Sequence, residues 1–303
     1  MLLLVALAVG GLIPIQTAAN SRLRVAVGDK PVVSAMVSFS MALVIAVVAT
    51  AVLQGNPVPR LNDATPWWGF IGGVMGVCFV LGNILLFPRL GAVQTVVLPI
   101  LGQVVMGLVI DRFGLFGAPA LEVSWLRVLG AFVVLAGIVV VLRAGKRQAA
   151  SGDADGAELW LFRLLGVMVG VGSAIQTAVN GYMGTIVGSS LHASEINLAI
   201  GLVLLVLVAL VTSPRQLVRK PDPGPGWMWL GGLVGATFVI AGATLSPLIG
   251  TATTVIAFNA GTIAAGQVLE ARGAFGARKN PLTATRLVGL VVIFLGVLAV
   301  RLL

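Results

Sequence analysis

The sequence predicts an all-α integral membrane protein whose ten transmembrane helices form two inverted five-helix repeats. Hydrophobic residues make up 58% of the 303 residues, charged residues only 10%, and the mean hydropathy is +1.08. A soluble domain carries about 25% charged residues, so this composition indicates a chain that lies in lipid. The second observation is an internal repeat, because the segment from Pro88 to Gly117 returns as the segment from Pro247 to Gly276.

Apolar runs of about 20 residues, the length that crosses about 30 Å of hydrocarbon, predict five spans in each half. Helices are expected because an open strand would leave its backbone groups unpaired in lipid. The predicted spans 1 to 10 cover about residues 2–19, 31–53, 67–87, 90–110, 126–142, 159–179, 192–212, 227–246, 248–269 and 286–302. We therefore expect a first repeat at 1–143, a linker at 144–158 and a second repeat at 159–303.

The odd number of spans in each half decides the predicted geometry. Two halves fused without an extra crossing run in opposite directions through the bilayer. Most Lys and Arg residues fall in loops on one side of this arrangement, and the opposite side holds only Arg60, Arg112, Arg127 and Arg301. Basic loops stay in the cytoplasm, so the linker is predicted to be cytoplasmic and both termini to lie outside.

Span 1 ends in a pair of amides, Gln16 and Asn20, which recurs in span 6 as Gln176 and Asn180. Residues four apart share a helix face. The apolar start could be read as a secretory signal, but it lacks a basic leading segment, and the motif recurs deep in the chain, so we interpret it as a span. These amides are expected either to bond neighbouring helices or to contact a substrate.

Three further polar residues lie within the apolar runs. Glu195, near the outer end of span 7, is a candidate for proton coupling or cation binding, although a carboxylate at a helix end is expected to reach water at the interface. His192 is the single histidine, which predicts a solvated helix cap and no metal site. Asn83 in span 3 is expected to face a cavity or a neighbouring helix.

Glycines at matching positions predict close contacts between helices, the usual purpose of small residues in membrane bundles. Gly72, Gly73 and Gly76 open span 3, and their repeats open span 8. Spans 5 and 10 each carry two glycines seven residues apart, which lie on one helix face. The repeats in span 8 are Gly231, Gly232 and Gly235, and the seven-residue pairs are Gly130 with Gly137 and Gly289 with Gly296.

Spans 4 and 9 carry the clearest pattern, a stripe of residues at spacings of three, four and four. The stripe of span 9 is Asn259, Thr262, Gly266 and Glu270, and that of span 4 is Ile100, Gln103, Gly107 and Asp111. A polar stripe avoids lipid and faces protein or a water-filled cavity. We therefore predict that the two stripes line a pathway between the halves, where transporters built of inverted repeats place their sites.

The two stripes end in carboxylates at opposite membrane surfaces. Asp111 is followed by Arg112, and Glu270 lies two residues before Arg272. Ion pairs at the interface are therefore expected in preference to deep ion ligands. In a transporter these carboxylates are also candidates for gating or coupling charges.

The arrangement resembles a known family. The inverted five-helix halves, the Gln-x-x-x-Asn end of span 1 and the segment from Ile110 to Gly117 resemble the YdcZ-like branch of the drug/metabolite transporter superfamily, over nearly the whole chain. Some members resemble the first half alone, so this chain looks like a fused form. The resemblance implies a bacterial inner-membrane secondary transporter that works by alternating access. Span 1 carries Gln16 and lacks the carboxylate of small multidrug pumps, so their cation and proton antiport does not carry over.

Other function classes fit the sequence less well. It has no His-Glu-x-x-His motif and no nucleophile elbow, so no enzyme is predicted. No ATP-binding loop or cofactor motif occurs, which leaves an ion gradient or the membrane potential to drive a small metabolite or drug-like solute. The net charge of +9 resides in loops on one side, so no nucleic acid is expected. The expected partners are the bilayer and a solute, with a monomer or homodimer; a passive channel or lipid scramblase is the alternative.

Overall fold

A computed structural model describes residues 1–61, 63, 65–122, 124–144, 156–218, 220–276, 279 and 282–302; within its helices, side chains 83–85, 87–89, 91–94, 142–144, 157, 301 and 302 are not described. The regular structure of these ranges is helical throughout. Short 3₁₀ turns precede α3 and α8 and follow α3 and α9. The helices are α1 (Leu2–Ala26), α2 (Pro31–Gln54), α3 (Ile71–Phe113), α4 (Trp125–Ala144), α5 (Gly156–Ile186), α6 (Ser190–Thr212), α7 (Pro214–Leu217), α8 (Leu230–Ile249), α9 (Thr251–Arg272) and α10 (Ala284–Leu302).

Seven helical stretches in the described part of the chain are long and apolar enough to cross a membrane. They belong to α1, α2, the second half of α3, α5, α6, α8 and α9. Three shorter apolar stretches, Trp67–Gly82, Trp125–Val141 and Ala284–Val300, coincide with the remaining predicted spans 3, 5 and 10. The expectation of an all-helical membrane protein is therefore confirmed.

The contacts of α3 agree with the prediction that spans 3 and 4 cross separately. A straight helix of 43 residues would be about 64 Å long, yet the rings of Trp68 and Phe116 at its two ends lie 5.9 Å apart. The chain therefore reverses direction within α3, and the second half reverses between α8 and α9 at Gly250, which has a φ of +86°. A helix start needs partners for its first backbone N–H groups. The first two N–H groups of α9 donate to the carboxylate of Asp111, which stabilises the break in the second half.

Two boundaries differ from the sequence prediction. Helix α1 continues to Ala26, seven residues beyond the predicted end of span 1 at Ala19. Helix α5 begins at Gly156, inside the predicted linker. Residues 145–155 of that linker lie outside the described residues.

A very close helix contact joins α1 of the first half to α9 of the second. A Cβ atom added to Gly10 would overlap the carbonyl group of Phe258, and one added to Gly261 would overlap the carbonyl group of Leu7. The two backbones therefore touch directly, as small residues allow in membrane bundles.

The same contact occurs a second time with the halves exchanged. Helix α5 meets the second half of α3, where a Cβ added to Gly170 would overlap Pro99 and one added to Gly102 would overlap Val167. These four residues are the repeat equivalents of the four that join α1 to α9. Each half therefore inserts its first helix against the stripe-bearing helix of the other half.

Helices α4 and α10 form a third close pair through the predicted glycine seam. An added Cβ at Gly130 or Gly137 would approach the backbone of α10, and one at Gly289 or Gly296 would approach the backbone of α4. These distances are 2.8 to 3.1 Å to the nearest backbone atoms, closer than real Cβ contacts allow. The prediction that the seven-spaced glycines join two helices is confirmed.

The turns after α3 and α9 are also alike. Phe116 and Phe275 both have left-handed backbone conformations, with φ values of 56° and 53°. Their rings meet equivalent tryptophans edge to face, Phe116 against Trp68 at 5.9 Å and Phe275 against Trp227 at 5.5 Å. A bulky side chain in this region of φ and ψ is unusual, so its recurrence indicates that the whole unit is repeated.

We predict that Gly261→Ala lowers the free energy of unfolding by at least about 2 kcal/mol, because the new Cβ overlaps a backbone that cannot rotate away. Gly242→Ala in α8 is the matched control, since its Cβ would meet only side chains at 3.8 Å. Thermal unfolding of the two detergent-purified variants measures the difference. Equal stability would contradict direct backbone contact between α1 and α9.

Candidate functional site

The two predicted stripes meet where α3 faces α9. The Asn259 amide donates to the Gln103 side-chain oxygen at 2.6 Å, and the Gln103 amide donates to Ser173 of α5 at 2.9 Å. Gln103 and Ser173 are buried, and Asn259 is partly exposed. These three uncharged polar groups therefore form a continuous network across both halves, which we call the central amide network.

The rest of the stripes follows the same face. Ile100 is buried, and a Cβ added to Gly107 would lie 2.8 Å from the backbone of Ala252 at the start of α9. Thr262 donates to the Gly10 carbonyl oxygen of α1 at 3.0 Å, and Gly266 faces Pro14 of the same helix. Thus the stripe of α3 faces α9, whereas Thr262 and Gly266 of the α9 stripe face α1.

The amide pair of α1 lies against the glycines that open α8. A Cβ on Gly231 would collide with the Asn20 side-chain oxygen, and one on Gly235 would lie 2.9 Å from the Gln16 amide nitrogen. Asn20 also accepts a hydrogen bond from Ser38 of α2 at 2.5 Å. The glycines therefore make room for amide side chains from the other half.

The amide pair of α5 is placed in the same way against α3. A Cβ on Gly72 would collide with the Asn180 side-chain oxygen, and one on Gly76 would lie 2.9 Å from the Gln176 amide nitrogen. Asn197 of α6 joins them, because its amide donates to Asn180 at 3.3 Å and its oxygen accepts from Gln176 at 3.2 Å. Asn197 completes a second polar cluster, and its role was not anticipated from the sequence.

The carboxylate of Asp111 ties the end of α3 to the start of α9. Its oxygens accept hydrogen bonds from the backbone N–H groups of Thr251 at 2.7 Å and Ala252 at 3.1 Å. The Arg127 guanidinium of α4 lies 3.5 Å away and also donates to Thr253. Asp111 is fully buried, so this closure joins α3, α4 and α9 inside the bundle.

The equivalent carboxylate makes only part of this arrangement. Glu270 of α9 pairs with Arg286 of α10 at 3.4 Å, and its side chain is 43% exposed. Arg286 itself is buried. One end of the bundle therefore has a closed carboxylate site and the other a half-open one.

The predicted partners of these carboxylates were wrong. Arg112 and Arg272 are exposed, whereas the partners are Arg127 and Arg286, one helix further along the chain. Sequence neighbours on a helix point to different faces, which explains the error. The repeat itself carried the missing signal, because Arg127 and Arg286 occupy equivalent positions just as Asp111 and Glu270 do.

Two predictions on α6 were also wrong. His192 is buried, and its Nε2 lies 2.9 Å from the carbonyl oxygen of Asn56, while Ser189 caps the helix. Glu195 does not reach water, because only 4% of it is exposed. The loop after α2 contacts this helix end at His192, whose ring meets Asn56. The side chain of Asn83 lies outside the described residues.

Two cavities flank the Asp111 closure. One of about 60 Å³ is lined by Ala178, Tyr182 and Ser246. The other, of about 220 Å³, is lined by Glu122, Arg127 and Thr253. Among the described residues, no group of three or more His, Cys, Asp or Glu side chains is placed to hold a metal ion.

Comparison with known families identifies the family to which this chain belongs. The family described as "Putative inner membrane exporter, YdcZ" matches residues 1–140 and 161–299, one segment in each half. The chain belongs to this family. The YdcZ family is a transporter family and not an enzyme class, so this is a multi-pass protein of the inner membrane with a general transport role.

A solved structure supports the fold. A crystal structure matches with a TM-score of 0.69 at 17% sequence identity, over 99% of this chain and 95% of that chain. At this identity the likeness concerns the fold alone. No curated protein shows significant similarity to the chain.

We predict that Arg127→Gln destabilises the protein by about 3 kcal/mol, because it leaves the buried Asp111 carboxylate without its counter-charge. Arg112→Gln is the matched control and should change stability by less than about 0.5 kcal/mol, since its side chain is exposed. Chemical or thermal unfolding in the same detergent compares the two. A larger loss for Arg112→Gln would support the partner expected from the sequence.

Proposed function

We propose that this protein is a secondary transporter that exports a small metabolite or drug-like solute by alternating access. Its ten crossings would form two inverted five-helix repeats of the drug/metabolite transporter fold, at 1–143 and 159–303, joined by a cytoplasmic linker at 144–158. An ion gradient or the membrane potential supplies the driving force. The family assignment supports the transport role and suggests export.

The observation that carries the proposal is the unequal pair of carboxylate sites. Asp111 is buried and holds the start of α9, whereas Glu270 remains partly exposed and bonds Arg286. Alternating access requires one end to be closed while the other is open. Two equivalent carboxylates in different arrangements are what a single state of such a cycle should contain, with the Asp111 end closed.

The central amide network supports a solute path between these ends. It lies where helices of both halves meet, which is where inverted-repeat transporters bind their substrates. Its groups, Gln103, Asn259 and Ser173, are uncharged and bond one another in this state. They can exchange these bonds for bonds to a solute at little cost, because each amide keeps a partner throughout.

We predict that Gln103→Leu and Asn259→Leu each reduce transport about tenfold or more, because the remaining amide loses its partner at a cost of about 1–3 kcal/mol. Thr237→Val is the matched control, since this exposed hydroxyl bonds only its own helix. Proteoliposomes would be tested with labelled alanine, glucose, ethanolamine and tetraphenylphosphonium, with and without a pH gradient and a potassium diffusion potential.

The same experiment separates the alternatives. Accumulation of a probe above its equilibrium concentration supports a secondary transporter. Downhill movement alone would indicate a channel, and movement of labelled phospholipid between leaflets would indicate a scramblase. Unchanged transport in both leucine variants would remove the central amide network from the solute path.

The proposed orientation gives a separate prediction. A fluorescent protein that matures only in the cytoplasm should stay dark when fused after Leu303, because the basic loops place both termini outside. The same protein inserted after Gln148 in the linker should fluoresce. Comparable expression of the two fusions is checked by immunoblotting, and the reverse pattern would invert the orientation.

A further inference from the structure

Glu195 of α6 is a carboxyl group with an unusual environment. Only 4% of the residue is exposed, and neither carboxyl oxygen has a hydrogen-bond partner among the described residues. The equivalent position in the first half holds Met36, so the repeat does not require a carboxyl group for packing.

No described residue forms an ion pair with Glu195. One turn later, Leu198 packs between α2 and α8, and neither of these helices contains a titratable residue. The described titratable residues of the other helices packed against α6, and of the loop after α2, are engaged elsewhere, exposed or at distant helix ends. They are Cys78, Asp111 and Arg112 of α3, Glu158, Arg163 and Tyr182 of α5, Arg215 of α7, and Arg60 and Asp63 of the loop.

A charge that is buried without a partner is costly, whereas a carboxyl group that holds a proton carries no charge. A buried carboxyl group without a partner among the described residues is therefore a candidate site for a proton. A state that opened this end of α6 to water would let the proton leave.

A route for that proton lies at the same helix end. His192 is one turn before Glu195, so the two side chains are neighbours on α6. The His192 Nε2 atom reaches the Asn56 carbonyl oxygen in the loop after α2, and Ser189 next to it bonds Gln54 of α2. Imidazole can take a proton at one nitrogen and release one from the other. His192 thus lies between the loop at the helix end and the buried carboxyl group.

We propose that Glu195 is the proton-binding site that couples transport to the proton gradient, loaded and unloaded through His192. This inference rests on the proposed transport function, for which it names the coupling ion. A proton moves from the His192 imidazolium to the Glu195 carboxylate, which leaves neutral imidazole and a neutral acid, and the reverse transfer releases it.

The direct test measures the proton and needs no substrate. Infrared spectra of the purified protein in lipid, in H₂O and in D₂O, should contain the C=O stretching band of a protonated carboxyl group at neutral pH, and the band should shift in D₂O. Glu195→Gln should remove it. Glu158→Gln, at the exposed start of α5, should leave it unchanged, and His192→Gln should slow its exchange with D₂O.

The outcomes are separable. Persistence of the band in a folded Glu195→Gln variant would overturn the proposal, as would a wild-type spectrum without the band. Glu195→Gln is nearly isosteric, and equal thermal stability shows that it is folded. The band should be absent from Glu195→Gln and present in Glu195→Asp. That result would support a proton site rather than a packing role.

A second measurement connects the site to transport. In proteoliposomes, Glu195→Gln should lose accumulation of the four probes driven by a pH gradient but keep their exchange at equal pH. Retained gradient-driven accumulation, or a requirement for Na⁺ in its place, would overturn proton coupling at Glu195. If the wild-type protein moves no probe under any gradient, the transport proposal fails, whereas the infrared result still decides whether Glu195 binds a proton.

Discussion

Direct backbone contact between helices of opposite halves is the constraint on which the rest of the structure depends. Lipid offers little hydrophobic drive for helix association, so close van der Waals contact must supply it. Gly10 and Gly261 bring α1 onto α9, and Gly102 and Gly170 bring α3 onto α5. Because these contacts fix α3 and α9 relative to both first helices, they also determine that Gln103 meets Asn259. The position of the central amide network therefore follows from the glycine contacts.

The second constraint is that polar groups inside the bundle need protein partners. The start of α9 is a clear case, since its free N–H groups are bound by Asp111 and that carboxylate is balanced by Arg127. The equivalent carboxylate, Glu270, is partly exposed and pairs with Arg286. The two copies of the repeat therefore differ in how the carboxylate is bonded.

The internal repeat made much of this predictable. Equivalence of the glycines indicated the close contacts, and the three, four, four spacing indicated the faces on which Gln103 and Asn259 lie. Partner choice was not predictable from neighbouring residues, because Arg127 and Arg286 reach the carboxylates from another helix. The burial of His192 depends on how the loop after α2 meets the start of α6, which helical periodicity does not report.

Positions at which the two halves differ separate packing from function. The glycines, the Gln-x-x-x-Asn pairs and the carboxylate with its arginine recur in both halves, and each has a packing or bonding role in the structure. Asn259, Ser173 and Glu195 occupy positions where the first half has Ile100, Ile13 and Met36. An apolar side chain satisfies the fold at those sites, so packing alone does not explain the more costly polar group. Polar residues that break a repeat in this way are expected at functional sites, and α5, α6 and α9 supply these three.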